Sequence, residues 1–345
     1  MTSPAPAHTD AATLSAGARI SYHARAMPNT SHTAQADGGG GGPEAARGQD
    51  ATCTVVCGDS REVLRAYAGL VDLMVTSPPY ADARRRHYDS VHPDEFAEWF
   101  MTFHEPFWDA LKPSGSLVVN IKDKVVGGVR HRYVWRTVEA LAAAGWLCIE
   151  DYVWHKTNPM PGYWPTRLRD GWEYCFHLAK SKRPYMNQDA VRRPVGDWVE
   201  SRLAKLGEND RGRQNSANAS GFGRDLSRWV DKRTVLPSNV LSLALVGKNR
   251  GHPAVFPVDL PLFFIRLLCP EGGLVCDPFG GSGTTGLAAL AAGRRSLLVD
   301  NNEEYCRAAL RRLREEGALR RRESFDEPTL FPVEPPRRKT RRPKS

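Results

Sequence analysis

Ten residues, Asp277-Pro278-Phe279-Gly280-Gly281-Ser282-Gly283-Thr284-Thr285-Gly286, restrict the folds open to this chain more than any other stretch. They follow Gly273–Cys276, which reads as a short apolar strand, and precede an alanine- and leucine-rich helix from Thr284. Ser296–Val299 reads as a second strand and the residues from Glu303 as a second helix. Strand, glycine turn, helix and strand make a β-α-β unit, and parallel strands joined this way belong to an α/β sheet covered by helices on both faces. Gly281, Gly283 and Gly286 also spell G-x-G-x-x-G, a pattern found at dinucleotide sites. Asp277 points elsewhere, because a carboxylate at the head of the loop repels a pyrophosphate seated on the helix N-terminus. A cofactor carrying an ammonium and a sulfonium centre would be attracted instead. The loop lacks the lysine of a nucleotide P-loop, and Asp300, closing the next strand, is placed to accept hydrogen bonds from ribose hydroxyls. Together these residues favour S-adenosylmethionine over NAD or ATP.

A second constraint lies two hundred residues earlier. Val71–Val75 reads as a buried strand, and Thr76-Ser77-Pro78-Pro79-Tyr80 follows it directly. Two prolines can neither continue a strand nor open the middle of a helix, so they hold the chain rigidly at the strand's carboxyl end. That end is where ligands bind in open α/β sheets. The Ser77 hydroxyl and carbonyl can both accept hydrogen bonds from one amino group, and Tyr80 offers a face on which a planar base can stack. On geometry alone this reading stands level with a plainer one, a turn whose serine caps a helix and whose tyrosine packs in the core.

Other segments fill in around these two. Cys53–Cys57 reads as a strand followed by Asp59, either an N-cap or a ligand-binding acid. Ser116–Ile121, Trp146–Trp154 and Glu173–Ala179 read as further strands, so five strands precede residue 180 and two follow residue 250. Pro93–Leu111 has Phe96, Trp99, Phe100, Phe103 and Phe107 at helical spacing, a stripe better suited to core than to stacking on bases.

Residues 1–50 are rich in Ala, Thr, Ser, Gly and Pro and are expected to be a disordered arm. Residues 181–250 lose apolar periodicity and gather arginines among Asn, Ser and Gly, as expected of a nucleic-acid-binding insertion rather than more sheet. Its candidate phosphate contacts are Arg192, Arg193, Arg211, Arg213 and Arg224, joined from the loops by Arg84, Arg85, Arg86 and Lys156. Residues 318–345 form a basic tail, expected to be disordered. The net charge of +9 over 345 residues suits a polyanionic partner, although much of the excess lies in that tail. Seven cysteines without a C-x-x-C pair suit a reducing cytoplasm, and no Cys/His cluster has metal-ligand spacing. No apolar run is long enough to span a bilayer, and the first thirty residues lack the apolar core of a signal peptide.

The Ser77–Tyr80 corner and the Asp277–Thr285 loop, with Gly251–Pro257, Asp300 and Glu304-Tyr305, resemble the DNA amino-methyltransferases over roughly residues 51 to 312. Catalytic motif before cofactor motif, with a basic insertion between, resembles the β-class. The resemblance implies a circularly permuted Rossmann-like fold: a seven-stranded, mostly parallel sheet with one antiparallel strand, helices on both faces, and an inserted target-recognition region. Residues 51–180 would be the catalytic half and 251–317 the cofactor half. Carried over by position, Ser77, Pro78, Pro79 and Tyr80 are catalytic. Asp277, Phe279, Gly281, Ser282, Gly283 and Thr284 line the S-adenosylmethionine site, with His252 and Pro253 nearby, Asp300 on ribose and Asp59 near adenine. No metal is implied. The partner would be double-stranded DNA, with a restriction endonuclease and a homodimer as further expectations. A serine at the head of the corner resembles the cytosine-N4 enzymes more than the adenine-N6 ones. Adenine methylation, RNA methylation, and a DNA-binding protein with a vestigial cofactor pocket stay open as alternatives.

Overall fold

The computed structural model describes residues 19–23, 51–82, 91–194, 234–245 and 256–323. Strand β1 (Arg19–His23) pairs antiparallel with β2 (Thr52–Cys57). A single turn of helix α1 (Ser60–Val63) and a 3-10 turn lead to β3 (Val71–Thr76), every residue of which is buried. Helices α2 (Phe96–Met101) and α3 (His104–Ala110) precede the long β4 (Leu111–Ile121). A small hairpin, β5 (Lys124–Val126) and β6 (Val129–His131), runs into α4 (Tyr133–Ala143). Strands β7 (Leu147–Lys156) and β8 (Trp172–Ala179) follow. The two-residue strands β9 (Arg193–Pro194) and β10 (Thr234–Val235) pair with each other, apart from the main sheet, ahead of β11 (Val240–Leu243). The last block holds α5 (Asp259–Leu268), β12 (Leu274–Asp277), α6 (Thr284–Ala291), β13 (Arg295–Asp300) and α7 (Glu303–Glu323).

One nine-stranded sheet organises the body in the order β1-β2-β13-β12-β3-β4-β8-β7-β11. All its strands run in one direction except β1 and β8. The seven expected strands are all present, and β8 is the antiparallel one among them. Two clusters of apolar side chains fill the faces. One gathers α5, α6 and α7 against Leu73, Val75 and Leu298; the other gathers α2, α3 and α4 against Met74, Val119 and Leu297. Leu73 and Met74 thus point to opposite sides, the period-two alternation of a strand buried on both faces.

Four expectations need correcting. The N-terminal arm contributes β1, because Ile20 and Tyr22 sit in a segment of good strand propensity and the outer edge of β2 offers unpaired backbone groups. The insertion is narrower than residues 181–250. Tyr185 N donates to the Ser114 carbonyl at 2.9 Å and Asn187 N to that of Leu267 at 2.7 Å, while β11 closes the sheet beside β7 with Leu241 and Leu243 buried. The aromatic helix expected over Pro93–Leu111 is two helices. Pro106 has no N–H for the carbonyl of Thr102, four residues back, and its ring crowds that carbonyl, so the chain breaks there. Its stripe is core as expected: Phe96, Phe100 and Phe107 are 0 to 1% exposed. Finally, α7 continues to Glu323, through helix-favouring Ala318, Leu319 and arginines, beyond the point where the tail was expected to begin.

Two polar ties clamp β3 to β12 at the centre of the sheet. At one end Asp72 accepts from Leu274 N at 2.9 Å and from Lys112 Nζ at 2.7 Å. At the other, Thr76 Oγ1 donates to Asp277 at 2.7 Å. The strand directions bring the carboxyl ends of β2, β3, β4, β7, β12 and β13 to one edge, and the reversed β8 adds its amino end there.

Candidate active site

At that edge Asp277 is the node from which the glycine loop is built. Its side chain is 2% exposed, and both oxygens are engaged. Oδ1 accepts from Thr76 Oγ1 and from Phe279 N at 3.1 Å; Oδ2 accepts from Thr285 Oγ1 at 2.6 Å. Burial pushes this carboxyl up to about 6, against the pull of the two threonine hydroxyls. Asp277 therefore spans three elements, β12, β3 and α6, and fixes where the loop stands relative to the Ser77 corner.

The loop bends tightly enough to need glycine. Gly281 and Gly283 have φ of +46° and +79°, a region that side chains with a Cβ rarely enter. At Gly286 a Cβ would lie 2.9 Å from Cys53 Sγ and from Leu298 Cδ1, so this glycine lets α6 press onto β2 and β13. Asp300 holds the loop from the next strand: its oxygens accept from Gly281 N and Asn302 N, each at 2.9 Å, and burial raises its pKa. Ser282 and Thr284 share a partner that sequence reading missed. Arg312, from α7, reaches Thr284 Oγ1 at 2.8 Å and Ser282 Oγ at 3.2 Å. Phe279 points to the other face, its ring 5.0 Å from that of Phe103 and 5.9 Å from that of Trp99.

Asp59 takes the capping role. It accepts from Arg61 N at 2.8 Å and pairs with the same residue's guanidinium, which holds its pKa below the usual carboxylate range. The adjoining Gly58 N donates to the Asp300 carbonyl at 2.9 Å, so β2 and β13 bring the two acids to one side of the loop.

The Ser77 corner lies beside this loop, one residue beyond Thr76. Ser77 and Tyr80 are half-buried and Pro78 is buried. Ser77 Oγ donates to Tyr80 Oη at 3.2 Å, and Tyr80 Oη donates to Glu173 Oε2 at 2.7 Å. Burial, then the charge of Glu173, holds the tyrosine well above its ordinary pKa, so it stays a neutral donor at any physiological pH. Glu173 is the second residue of β8 and is 7% exposed; its other oxygen accepts from Lys156 at the end of β7. Asn120, near the end of β4, completes the group with Oδ1 3.4 Å from Tyr80 Oη and Nδ2 donating to the Tyr174 carbonyl at 3.0 Å. The plain and the functional readings of Tyr80 thus coincide in part: its ring packs against the aromatic core while its hydroxyl is wired to the corner.

Lys156 needs correction as a phosphate contact. It is 8% exposed, ion-paired with Glu173 and 5.0 Å from the centre of the Trp154 ring, so its charge faces inward. Arg192 is exposed and paired with Asp189, and Arg193 is half-buried in β9. Arg84, Arg85, Arg86, Arg211, Arg213, Arg224, His252 and Pro253 lie outside the described residues. Among the described residues no cluster of His, Cys, Asp or Glu is arranged to hold a metal, and no helix is long and apolar enough to cross a membrane.

Glu173 and Asn120 were not legible beforehand, since each looks like one polar residue in an apolar strand. The available signal was a glutamate inside Trp172–Ala179, where a charge has to be paired to be buried.

Comparison with known proteins agrees with this geometry. A type II methyltransferase of Proteus hauseri, M.PvuII, is 30% identical over 275 residues, 73% of this chain and 81% of that protein. M.SmaI of Serratia marcescens, another type II methyltransferase, is 27% identical over 306 residues, 79% and 92% of the two chains. Among solved structures, the PvuII DNA methyltransferase (cytosine-N4-specific) superposes with a TM-score of 0.57 at 25% identity, covering 79% of this chain and 92% of that one. The profile of the N6/N4 methylases, described as DNA methylase, matches residues 71–311, from the start of β3 into α7. That family is one of S-adenosylmethionine-dependent methyltransferases. With β3, the glycine loop and most of its length inside that match, the chain belongs to the N6/N4 DNA methylase family.

Proposed function

We propose that this protein is a site-specific DNA methyltransferase that methylates the exocyclic amino group of a base swung out of the duplex, N4 of cytosine, and works in the cytoplasm. One observation carries the reading: the Thr76–Asp277 hydrogen bond of 2.7 Å locks the Ser77 corner against the glycine loop, so that a base at one meets a cofactor at the other. The loop suits S-adenosylmethionine. The loop has no lysine, and two carboxylates, Asp277 and Asp300, give a negative potential suited to a cationic cofactor. When bound there, S-adenosylmethionine supplies an activated methyl group. Gly281, Gly283 and the start of α6 would cradle its methionine part, and Asp300 would face its ribose. Asp277 serves first as the loop's anchor.

The chain's own residues handle the base. An amino group conjugated to a ring is a weak nucleophile because its lone pair is delocalised. Hydrogen bonds from its two protons to the Ser77 side chain and carbonyl pull it toward tetrahedral geometry and free the lone pair. The two prolines hold both acceptors at fixed separation, so little reorganisation is needed. Swinging the base out costs a few kcal/mol, which stacking on Tyr80 offsets in part. The serine at the head of the corner and the likeness to a cytosine-N4-specific enzyme support cytosine over adenine.

Mass spectrometry of nucleosides from DNA treated with purified protein and S-adenosylmethionine tests this. N4-methylcytosine is expected. N6-methyladenine would overturn the base assignment while leaving the family and the chemistry of the corner. No methylated base, with DNA and cofactor both bound, would identify a DNA-binding protein that has lost catalysis.

A further inference from the structure

A serine hydroxyl is ambivalent. Free to rotate, it donates to a carbonyl as readily as it accepts from an amino group. A site that must grip an amino group therefore gains from a hydroxyl whose proton is already committed elsewhere. The surroundings of Ser77 have that arrangement. Two acceptors face the Tyr80 hydroxyl: Glu173 Oε2 at 2.7 Å and Asn120 Oδ1 at 3.4 Å. Asn120 presents its oxygen there because its Nδ2 is held by the Tyr174 carbonyl at 3.0 Å. Glu173 is an acceptor on both oxygens, and its far one is taken by Lys156. The tyrosine proton is thus drawn away from Ser77, and only a lone pair of Oη remains to face Ser77 Oγ across 3.2 Å. That lone pair can be met only by the serine's own proton.

We propose that Glu173 and Lys156 are positioning residues that set hydrogen-bond polarity at the catalytic corner: through Tyr80 they bind the Ser77 proton and leave its oxygen an obligate acceptor. The consequence is discrimination. Cytosine presents an amino group where uracil presents an oxygen, and adenine differs from hypoxanthine in the same way. A committed acceptor grips the amino member of each pair and repels the oxo member. The ion pair with Lys156 supports this arrangement, because a buried carboxylate without a partner is costly. This inference rests on the proposed role of Ser77 and specifies what makes that serine selective.

The test compares full-length wild type with Glu173→Gln and Tyr80→Phe. Glutamine can donate to Tyr80 and so reverse the chain of hydrogen bonds. Phenylalanine cuts the chain while leaving the ring and the Lys156–Glu173 pair in place, so a folding defect in the first variant does not end the test. The target site is first located by sequencing plasmid methylated by the wild type. Duplexes carrying cytosine or uracil at the target position are then bound in fluorescence titrations; if the methylated base is adenine, hypoxanthine is the oxo analogue. Taking the ratio of affinities within each protein, and comparing ratios between proteins, cancels the effect of the mispair. We expect the preference for the amino base to fall roughly five- to tenfold in both variants, and turnover about tenfold, with cofactor affinity unchanged. An unchanged preference in both variants overturns the inference, even where turnover falls, because a merely structural role slows the enzyme without altering which base it prefers. A wild-type protein that methylates no DNA refutes the reading of the site itself, and the inference with it.

Discussion

Ser77 stands where one oxygen has much to do. Its proton is directed to Tyr80 at 3.2 Å, and the residue directly follows β3 at the edge where the sheet's carboxyl ends gather. Ser77→Ala removes that acceptor and nothing that anchors the loop, whose ties run through Thr76, Thr285, Asp300 and Arg312. Turnover is expected to fall about a hundredfold, the scale of losing one preorganised hydrogen bond to the reacting group, while cofactor affinity measured by calorimetry stays the same. A weakened affinity would place Ser77 in the cofactor site instead. The contrast with its neighbours explains what the sequence could reveal. Ser77, Pro78 and Tyr80 are read together because they are adjacent and their chemistry is local. Glu173 and Asn120 reach the same hydroxyl from 93 and 40 residues away, and only the pairing of β4 with β8 brings them there. Lys156 was misread for a related reason: a lysine at the head of a loop looks like a phosphate ligand until the strand opposite is seen to present a buried glutamate.

The strands and helices were legible wherever burial imposed a period. β3, buried on both faces, follows from its continuous apolar run, and the aromatic stripe of α2 and α3 from apolar spacing. The edge strands were not legible, because β1 and β11 are short and owe their existence to open backbone groups on β2 and β7 rather than to their own pattern. Strand β8 makes a prediction about pH. His177, 1% exposed, sits opposite Val118 of β4, with Nε2 2.9 Å from Ser116 Oγ. Burial pushes its pKa down from 6.5 to about 4. The folded protein thus binds the His177 proton less readily than the unfolded chain does, so the stability associated with neutral His177 is fully present above pH 6.5 and is lost as pH falls through 4. The loss amounts to about 3 kcal/mol by pH 4 and below. Chemical denaturation of wild type and His177→Gln at pH 7 and pH 4 should show the wild type losing that much more; equal losses would mean that the imidazole titrates inside the fold as it does in water.

Across the whole molecule the described body holds the candidate site, and the basic segments are expected to supply general attraction to a polyanion. The net charge is +9, and Arg211, Arg213 and Arg224 fall in a stretch rich in arginine. DNA affinity should therefore drop steeply with salt. Replacing those three arginines with serine should flatten the slope of log K against log salt by about 3, if each neutralises one phosphate, and weaken binding to all sequences alike. A slope that does not change would remove them from the interface. The order of the chain has a separate consequence, for the time before the protein is complete. The two clamps at the heart of the sheet, Asp72 to Leu274 and Thr76 to Asp277, join residues 202 and 201 positions apart. A ribosome adding roughly 5–20 residues per second finishes the Ser77 corner some ten to forty seconds before β12 is made. Through that interval β3 has an open edge and the corner has no cofactor loop beside it. Nascent and truncated chains are therefore expected to be inactive and, at that bare strand, to be most open to mispairing with one another.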